Sequence, residues 1–401
     1  MTNSTTQPRI AIVGGGLGGL VLLLTLLRRN VPATLYERDT GFNARAHLGG
    51  MLDLGWGSGQ RALRENGLED IFKANSRREA EEMKFCGKDG VPFYHRKEED
   101  APDEKDSRPE IDRSVLRKIM LDAVPMENIK WGHALAFIRA LDGGAGQHEL
   151  TFANGFVTVA DIVVGADGAH SRVRPLLSPA TPIYHEVTGV EISVAPEVAA
   201  SPDMADVRAA VGSGSCSLGQ ENKALVLQRN GDGRIRAYAW QRSPDPYFPA
   251  DPAEVRKALL EMYSDWAPWV RTFIEHCDDA AVYPRPLYYL PVGHRWEHKP
   301  GVTLIGDAAH LMSPAAGAGA NLAMLDGLEL GLALAEALSK GVSAEEREEA
   351  VAAVEERMFA RAEKLAAVSF RNLNAFINPD APATALETIK AFMEAEVRRE
   401  A

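Results

Sequence analysis

The sequence is poor in cysteine and in basic charge, and each shortage excludes a class of protein. Its 401 residues include only three cysteines, which lie far apart and form no C-x-x-C pair. Neither a disulfide framework nor a zinc site is therefore expected. Lysine and arginine number 44 against 56 aspartates and glutamates, a net charge of −12. This acidic balance argues against nucleic acid as a partner, because phosphate backbones are bound through basic surfaces.

One stretch, residues 10–27, is apolar enough to suggest a membrane segment. Five glycines in its first half would weaken a spanning helix, and two arginines rather than a cleavage site of small residues follow Leu27. We therefore expect no membrane partner and a cytoplasmic location. The length predicts two or three domains, since a domain averages roughly 150 residues.

The glycines of that stretch form a dinucleotide-binding fingerprint. The apolar run at residues 9–13 predicts a buried parallel strand, and Gly14, Gly16 and Gly19 follow it in the pattern G-x-G-x-x-G. A helix and a second strand ending in Glu37 come next. In such a unit the glycines allow a tight turn, close approach of a pyrophosphate, and helix packing, while the acid holds ribose hydroxyls. The motif alone does not separate FAD from NAD.

Two later segments repeat the pattern of a buried strand followed by a turn with an acid and a glycine. The first, residues 161–174, contains Asp167-Gly168, and the second, residues 302–321, contains Gly306-Asp307 and then a glycine-rich loop. A helix is predicted to begin near Gly319. Its N-terminus suits a phosphate or negative charge on a flavin ring.

The three motifs, in this order and at these separations, resemble those of the FAD-dependent group A aromatic hydroxylases, which have the para-hydroxybenzoate hydroxylase fold. Within that family the sequence is most similar to the tetracycline-inactivating flavin monooxygenases. The likeness extends to Tyr36-Glu-Arg-Asp39, to residues 49–54 and to residues 109–113. It is weakest between about residues 181 and 285.

The resemblance implies a set of cofactor contacts on matching positions. For FAD these are Gly14, Gly16, Gly19, Glu37, Arg38, Asp53, Arg113, Asp307, Pro314, Gly317 and Gly319. Asp307 would hold the ribityl hydroxyls, and the loop at residues 314–319 would lie against the flavin. Asp167 belongs to a motif associated with both FAD and NADPH. Arg45 matches an arginine tied to NADPH use, although one extra residue here separates it from Asp53. Arg45 and Arg113 could instead be surface residues without a ligand.

The resemblance also implies an α/β architecture with a Rossmann-like FAD-binding domain, an antiparallel β-sheet substrate domain and a C-terminal bridging helix. We assign residues 1–75, 106–176 and 286–340 to the FAD-binding domain, 76–105 and 177–285 to the substrate domain, and 341–401 to a helical segment. Alternating runs predict strands at 187–194, 224–227 and 234–240. On the last strand, Arg234, Arg236, Tyr238 and Trp240 share one face, and the small apolar residues between them pack inward.

The substrate side is where this sequence departs from its family. The resemblance places Glu191, Arg236 and Phe376 against the substrate, but the first two positions hold glutamine and histidine in the tetracycline-inactivating enzymes. Tetracycline is therefore one candidate beside other aromatic or polyketide-like metabolites. Glu191 and Arg236 could instead be solvated, or pair with each other to support the sheet. His310, which follows the Gly-Asp motif, could serve the reaction or make a structural hydrogen bond.

The implied reaction is a monooxygenation. NADPH or NADH would reduce FAD, O₂ would add at flavin C4a to give a hydroperoxide, and a small-molecule substrate would take one oxygen atom. We assign no catalytic side chain and no metal, because the cofactor carries the chemistry and the protein excludes water. A second G-x-G-x-x-G is absent, so a separate nicotinamide domain is not expected, and we expect a monomer. The alternative is a flavoprotein that does not transfer oxygen, since fold does not fix function.

Overall fold

The computed structural model describes residues 7–45, 49–97, 105–141, 146–249 and 251–400, without the side chains of Arg45 and of residues 392–400. The strands of these ranges, in chain order, are β1 (Ile10–Val13), β2 (Ala33–Tyr36), β3 (Met51–Asp53), β4 (Met83–Cys86), β5 (Pro92–Arg96), β6 (Glu110–Asp112), β7 (Ile129–Lys130), β8 (Leu135–Ala140), β9 (His148–Phe152), β10 (Val157–Ala160), β11 (Ile162–Gly165), β12 (Ile183–Tyr184), β13 (Val187–Val194), β14 (Ser215–Gln220), β15 (Lys223–Arg229), β16 (Ile235–Arg242), β17 (Tyr283–Pro284), β18 (Tyr288–Tyr289) and β19 (Val302–Leu304).

The α-helices of the same ranges vary from one turn to 33 residues. They are α1 (Leu17–Leu27), α2 (Gly59–Glu65), α3 (Glu69–Asn75), α4 (Arg113–Asp122), α5 (Pro196–Ala199), α6 (Ala205–Val211), α7 (Pro252–Met262), α8 (Pro268–Glu275), α9 (Asp307–His310), α10 (Gly319–Lys340), α11 (Ala344–Phe376) and α12 (Ala383–Glu400). Within the described residues, no helix combines the length and the apolar character that crossing a bilayer requires.

A five-stranded parallel sheet, in the order β19-β11-β1-β2-β7, carries the sequence motifs. Strand β1 is buried on both faces, because α1 and α10 cover one side and the antiparallel sheet β10-β9-β8 covers the other. The carboxyl ends of parallel strands meet at one edge. Glu37 follows β2, Asp167 follows β11 and Asp307 follows β19. The topology therefore brings the three motifs together beside the glycine turn.

Helices α1 and α10 cross at a contact of backbone on backbone. A Cβ built on Gly327 of α10 would lie 2.3 Å from the Gly18 carbonyl oxygen of α1, and one built on Gly18 would lie 2.7 Å from the Ala323 oxygen. Only residues without a side chain allow so close an approach. This crossing fixes the N-termini of both helices on the same edge of the parallel sheet.

A second, seven-stranded sheet has the order β17-β13-β16-β15-β14-β4-β5. The strands predicted at 187–194, 224–227 and 234–240 are confirmed as β13, β15 and β16. Ile235, Ala237 and Ala239 pack in an apolar core with α6, α7 and α8, as their alternation predicted. Strand β14 was not predicted, and its pairing with β4 is parallel, so the sheet is not wholly antiparallel. The opposite side of this sheet, with Arg236 and Tyr238, is called the chamber face below.

The strands of the two large sheets come from different parts of the chain. Those of the seven-stranded sheet lie between residues 83 and 284, and those of the parallel sheet come from segments before, between and after them. The small sheet β12-β18 joins Ile183–Tyr184 to Tyr288–Tyr289 and so crosses one proposed domain boundary. The boundaries themselves stay a prediction.

Helix α11 is the bridging helix that the sequence predicted. It starts at a capping box between Ser343 and Glu346. Near its middle Glu355 accepts hydrogen bonds from the Trp296 indole and the Thr303 hydroxyl, beside the parallel sheet. Just beyond its end, the Ile377 carbonyl accepts from the Arg242 guanidinium at the end of β16. One rigid rod therefore contacts both halves of the molecule.

The helix crossing yields a stability prediction. Gly327→Ala places a Cβ against a helix backbone that cannot move away, so we expect the steric cost to exceed the gain in helix propensity of about 1 kcal/mol. The net loss in the free energy of unfolding should be about 1–3 kcal/mol, measured by denaturant titration. Gly41→Ala is the control, because a Cβ there meets nothing within 4 Å. Equal stability of the two variants would contradict the account.

Candidate functional site

The turn after β1 has the geometry that its glycines predict. Gly14 has φ of +109°, and a Cβ built there would lie 2.3 Å from the Ala166 carbonyl oxygen. A Cβ on Gly19 would lie 2.1 Å from the Gly14 oxygen, whereas one on Gly16 meets nothing within 4 Å. Gly14 and Gly19 are thus required by packing. Gly16 faces open space, where a ligand can approach the backbone.

Glu37 lies at the end of β2 against this turn. Its side chain is buried at 3% exposure, Oε2 accepts the Gly15 N–H at 2.6 Å, and Oε1 accepts the Asp39 N–H at 2.9 Å. Arg117 also supports the turn, because its Nε donates to the Gly15 carbonyl at 3.1 Å. Arg38, next in the chain, is exposed. The carboxylate is therefore held at a fixed place beside the N-terminus of α1.

The third motif lies across the sheet edge from Glu37. Asp307 is the first residue of α9, and its side chain is exposed although its neighbours on both sides are buried. It makes no hydrogen bond or ion pair with any described residue. Pro314 and Gly317 are exposed on the loop that follows, with Gly317 in the left-handed region at φ of +58°. The loop of residues 314–319, which the sequence predicts to lie against the flavin, is called the flavin loop below. A Cβ built on Gly319, the first residue of α10, would meet nothing within 4 Å.

The surroundings of the flavin loop are polar on one side and fixed by α11 on the other. Asp53, at the end of β3, lies 2.7 Å from the Arg108 guanidinium, and a Cβ built on Gly317 would lie 3.5 Å from its Oδ1. From α11, the Ser369 hydroxyl donates to the Ser313 carbonyl at 2.7 Å, and Asn372 donates to the Ala315 carbonyl at 3.1 Å. The loop is therefore held in place without a ligand.

These features fit an extended dinucleotide with a flavin ring. The N-termini of α1 and α10 lack a side-chain cap, so their N–H groups remain available to a diphosphate or a charged ring. Between them lie open space at Gly16 and Gly319, the buried Glu37 carboxylate and the exposed Asp307 carboxylate. Carboxylates accept hydrogen bonds from ribose and ribityl hydroxyls. The residues present thus match what FAD requires.

Three other residues of the predicted cofactor set have different surroundings. Asp167 caps the turn after β11, because its Oδ2 accepts the Arg172 N–H at 2.7 Å, and burial raises the pKa of its carboxyl. Arg113 is exposed at the start of α4, and its side chain lies against Gly49, where a Cβ would approach its Cδ to 2.7 Å. The side chain of Arg45 lies outside the described residues.

His310 makes a structural ion pair. Its Nε2 lies 2.6 Å from Asp326 Oδ2 on α10, and that oxygen also accepts the Gly306 N–H at 3.1 Å. Burial opposes the imidazolium form, but the Asp326 carboxylate outweighs it, so the pKa of His310 is raised. The pair ties α9, and with it Asp307, to α10. Nothing in the sequence around Asp326 marked it as the partner.

On the chamber face, Glu191 and Arg236 pair with each other. Both are buried, at 1% and 4% exposure, and an Arg236 NH1 donates to Glu191 Oε1. Arg285, which the sequence reasoning missed, donates from Nε to Glu191 Oε2 at 2.8 Å. The pairing of Glu191 with Arg236, one of the alternatives that the sequence left open, is therefore what the structure shows. Two guanidinium groups, one buried and one partly exposed, therefore contact the buried Glu191 carboxylate.

The half-buried part of the chamber face is aromatic and lies toward the flavin loop. Phe376 packs against Phe85 with ring centroids 5.1 Å apart, and Tyr238 stacks on Trp240 at 5.4 Å. Phe376, Tyr238 and Ala315 of the flavin loop belong to one apolar cluster. The Tyr238 hydroxyl accepts the Gly50 N–H at 3.1 Å, which joins the chamber face to the strand that carries Asp53. An apolar, ring-shaped ligand suits these walls.

In the described part of the chain, no cluster of histidine, cysteine and acidic residues could hold a metal ion.

Comparison with known proteins gives a consistent result. A family model described as FAD binding domain matches residues 7–362. The monooxygenase penA of Penicillium thymicola is 28% identical over 423 aligned residues, which cover 92% of this chain and 95% of that protein. The structure of Klebsiella pneumoniae HpxO with FAD and uric acid has a TM-score of 0.79 at 20% identity and covers 98% of this chain and 94% of its own. Tetracycline destructase Tet(51) has a TM-score of 0.67 at 17% identity, with 96% and 95% covered. The two structures share the fold.

The His310–Asp326 pair makes a prediction about pH. Because the folded chain raises the pKa of His310, the pair stabilises the fold fully below the ordinary histidine value of about 6.5, and the gain is lost as pH rises through the raised value. His310→Gln should therefore cost about 3–5 kcal/mol in acid solution and less in alkali. Denaturant titrations at several pH values measure this difference. A cost that does not change with pH would show that His310 is neutral in the fold.

Proposed function

The chain belongs to the FAD binding domain family of group A flavin monooxygenases, and we propose that it hydroxylates an aromatic or polyketide-like small molecule. It is an FAD-dependent monooxygenase. As further parts of the proposal, NADPH is the electron donor, O₂ is the second substrate, and the enzyme is a cytoplasmic monomer. The observation that carries the proposal is that Gly16, Glu37 and Asp307 follow three strands of the parallel sheet at the same edge. The space at this edge, between the N-termini of α1 and α10, is called the groove below.

In this groove the residues divide the work of holding FAD. Gly14, Gly16 and Gly19 let the diphosphate approach the N-terminus of α1, and Glu37 binds the adenosine ribose. Asp307 binds the ribityl hydroxyls, and the flavin loop with the N-terminus of α10 supports the ring. Arg38, Arg113 and Asp167 remain proposed contacts of the cofactor or of NADPH. Bound FAD supplies electron transfer from NADPH and the activation of O₂.

The task of the protein beside that chemistry is to orient the substrate and exclude water. Phe85, Tyr238 and Phe376 give a dry, aromatic wall toward the flavin loop. Excluding water protects reactive oxygen species from wasteful decay. The substrate is held with its reacting carbon toward the flavin loop, and the C-terminal part of α11, which contacts that loop, closes the chamber beside it. No side chain is assigned as an acid or base.

The charges on the chamber face favour a substrate with acidic or carbonyl oxygens. The buried Glu191 carboxylate pairs with Arg236, and the partly exposed Arg285 guanidinium beside it offers a positive charge. Phenolate, enolate or carbonyl oxygens, common in aromatic and polyketide compounds, complement it. The HpxO complex contains uric acid, a planar oxygenated ring. Tetracycline has the same oxygen chemistry and stays a candidate.

The proposal is tested by product analysis. The purified protein should carry or bind FAD, and a panel of phenols, quinolones, polyketides, urate and tetracycline should contain a compound that accelerates NADPH oxidation. With ¹⁸O₂, that compound should gain one labelled oxygen atom by mass spectrometry. NADPH oxidation that yields only hydrogen peroxide with every compound would contradict the proposal. So would a hydroxylated product whose new oxygen atom carries no ¹⁸O, because that atom would come from water.

Asp307 gives a direct prediction for the cofactor. Its carboxylate makes no hydrogen bond or ion pair with a described residue, although its charge favours the protonated form of His310. Asp307→Ala should therefore lower the stability of the apoprotein only slightly while it removes a charged hydrogen-bond acceptor for FAD. A charge-assisted hydrogen bond contributes about 1.5–3 kcal/mol, so FAD affinity should fall about 10- to 100-fold. Fluorescence titration of the apoprotein measures it. Asp203→Ala, another exposed aspartate at the start of a helical turn, is the control. Equal FAD affinity of both variants would exclude Asp307 from the site.

Arg236 gives a prediction for the substrate. Arg236→Gln should raise KM for the true substrate and uncouple NADPH oxidation from product formation, because a misplaced substrate leaves activated oxygen to decay. Flavin content should stay the same, since Arg236 lies on the chamber face and not in the groove. Arg229→Gln, at the end of the adjacent strand, is the control. A lowered melting temperature with unchanged KM and coupling would make the Glu191–Arg236 pair a support of the sheet only.

A further inference from the structure

Two acidic residues lie directly opposite each other on paired strands next to the flavin loop. Strands β3 and β6 pair antiparallel, and their register sets Asp53 beside Glu110. Side chains opposite each other in such a pair project to the same side, with Cβ atoms about 4.5–5.5 Å apart. Like charges in this arrangement repel. The structure must therefore contain something that offsets the repulsion between Asp53 and Glu110.

Asp53 has the better partners of the two. Its Oδ2 lies 2.7 Å from the Arg108 guanidinium, and its backbone carbonyl accepts from the Asn321 amide at 2.7 Å. An Arg108 NH2 also lies 3.5 Å from the Gly317 carbonyl. Through these contacts Asp53 connects β3 to the flavin loop and to the first turn of α10. Its position affects the loop directly.

Glu110 has no comparable partner. Its Oε2 is buried and makes no hydrogen bond with any described residue. Among the cations, Arg77 has the largest electrostatic effect on Glu110. Its guanidinium, however, contacts the Asp112 carboxylate, the Met51 sulfur and the Arg229 carbonyl. Glu81, the third acid nearby, accepts the Ser107 hydroxyl at 2.5 Å. An ionised carboxylate in this half-buried place would have one oxygen that is buried without a hydrogen bond from any described residue, beside a second negative charge.

Protonation removes each of these costs at once. A buried group that cannot pair its charge takes up a proton instead. Burial, followed by the Asp53 charge and that of Glu81, raises the pKa of Glu110 well above its ordinary value against the opposing effects of Arg77 and Arg108. Burial also raises the pKa of Asp53, against Arg108 and the more distant Arg96. Because Arg108 contacts Asp53 directly, Asp53 keeps the charge and Glu110 the proton.

We propose that Glu110 is a positioning residue that is a neutral carboxylic acid at neutral pH and donates its proton in a hydrogen bond to the Asp53 carboxylate. This bond holds Asp53 against Arg108 and the flavin loop, where the loop is shaped to receive FAD. Loss of the proton in alkali places a second charge opposite Asp53 and pushes β3 and β6 apart. FAD affinity is thereby coupled to the protonation of Glu110.

The test compares three proteins in FAD titrations of the apoprotein. Between about pH 6 and about pH 9 the wild-type chain should lose roughly tenfold or more in FAD affinity. This is the loss expected when the pKa of Glu110 differs by about one unit or more between the FAD-bound protein and the apoprotein. Glu110→Gln copies the neutral acid, so its affinity should stay near the acid value of the wild type at every pH. Glu79→Gln, an exposed glutamate before β4, should keep the wild-type pH dependence.

A second readout needs neither FAD nor turnover. The folded chain holds this proton more tightly than the unfolded chain, so the free energy of unfolding falls as pH rises from about 4.3 toward the raised value. Glu110→Gln should lack that part of the slope, and the infrared band of a buried protonated carboxyl should vanish in it. A folded Glu110→Gln protein with the wild-type slope, or one that loses FAD at every pH, would overturn the inference. Failure of the wild type to bind FAD would count against the proposed function alone. The protonation of Glu110 would still be decided by how the free energy of unfolding of the apoprotein changes with pH.

Discussion

The candidate site depends on the close crossing of α1 and α10. Gly18 and Gly327 bring the two helix backbones into contact, and this contact sets the distance between the helix N-termini that frame the groove. A larger side chain at either position would separate the turn after β1 from the flavin loop. The parallel sheet alone would still bring the strand ends to one edge, but without this crossing the two uncapped helix N-termini would not face the same space. The groove is therefore a consequence of helix packing as much as of the glycine motif.

A small number of buried polar contacts fixes the rest around that crossing. Asp326 on α10 accepts from His310 and Gly306, so the turn that carries Asp307 moves with α10. Glu355 on α11 accepts from Trp296 and Thr303, and the Ser369–Ser313 contact continues this attachment to the flavin loop. Buried polar groups with satisfied partners define a single arrangement, because any slippage would leave them unpaired. The chamber face is attached to the same rod through Arg242 and Ile377, so the cofactor groove and the chamber are set relative to each other by α11.

The sequence predicted those parts of the site that local chemistry determines. The roles of Gly14 and Gly19 follow from a tight turn next to a strand, and both positions leave no room for a Cβ in the structure. Strands β13 and β16 were predicted because alternation of residue type reflects one core face. Strand β14 was missed, because its short run Ser215–Gln220 has no β-branched or aromatic residue, although Cys216 and Leu218 are buried. It pairs with β15 on one side and with β4, about 130 positions earlier in the chain, on the other. The pairing of Glu191 with Arg236 was one of the alternatives that the sequence offered, but the contacts of Arg285 with Glu191 and of Asp326 with His310 were missed. Arg285 and Asp326 stand in unremarkable sequence, and only the fold brings them to those side chains.

The central claim is that FAD occupies the groove between α1 and α10, and a crystal structure of the protein with FAD tests it most directly. The account predicts the adenosine ribose hydroxyls within hydrogen-bond distance of Glu37, the ribityl hydroxyls within that distance of Asp307, and the flavin ring against the loop of residues 314–319. FAD bound at another surface, or in this groove with its ribityl chain far from Asp307 and its ring away from that loop, would contradict the account.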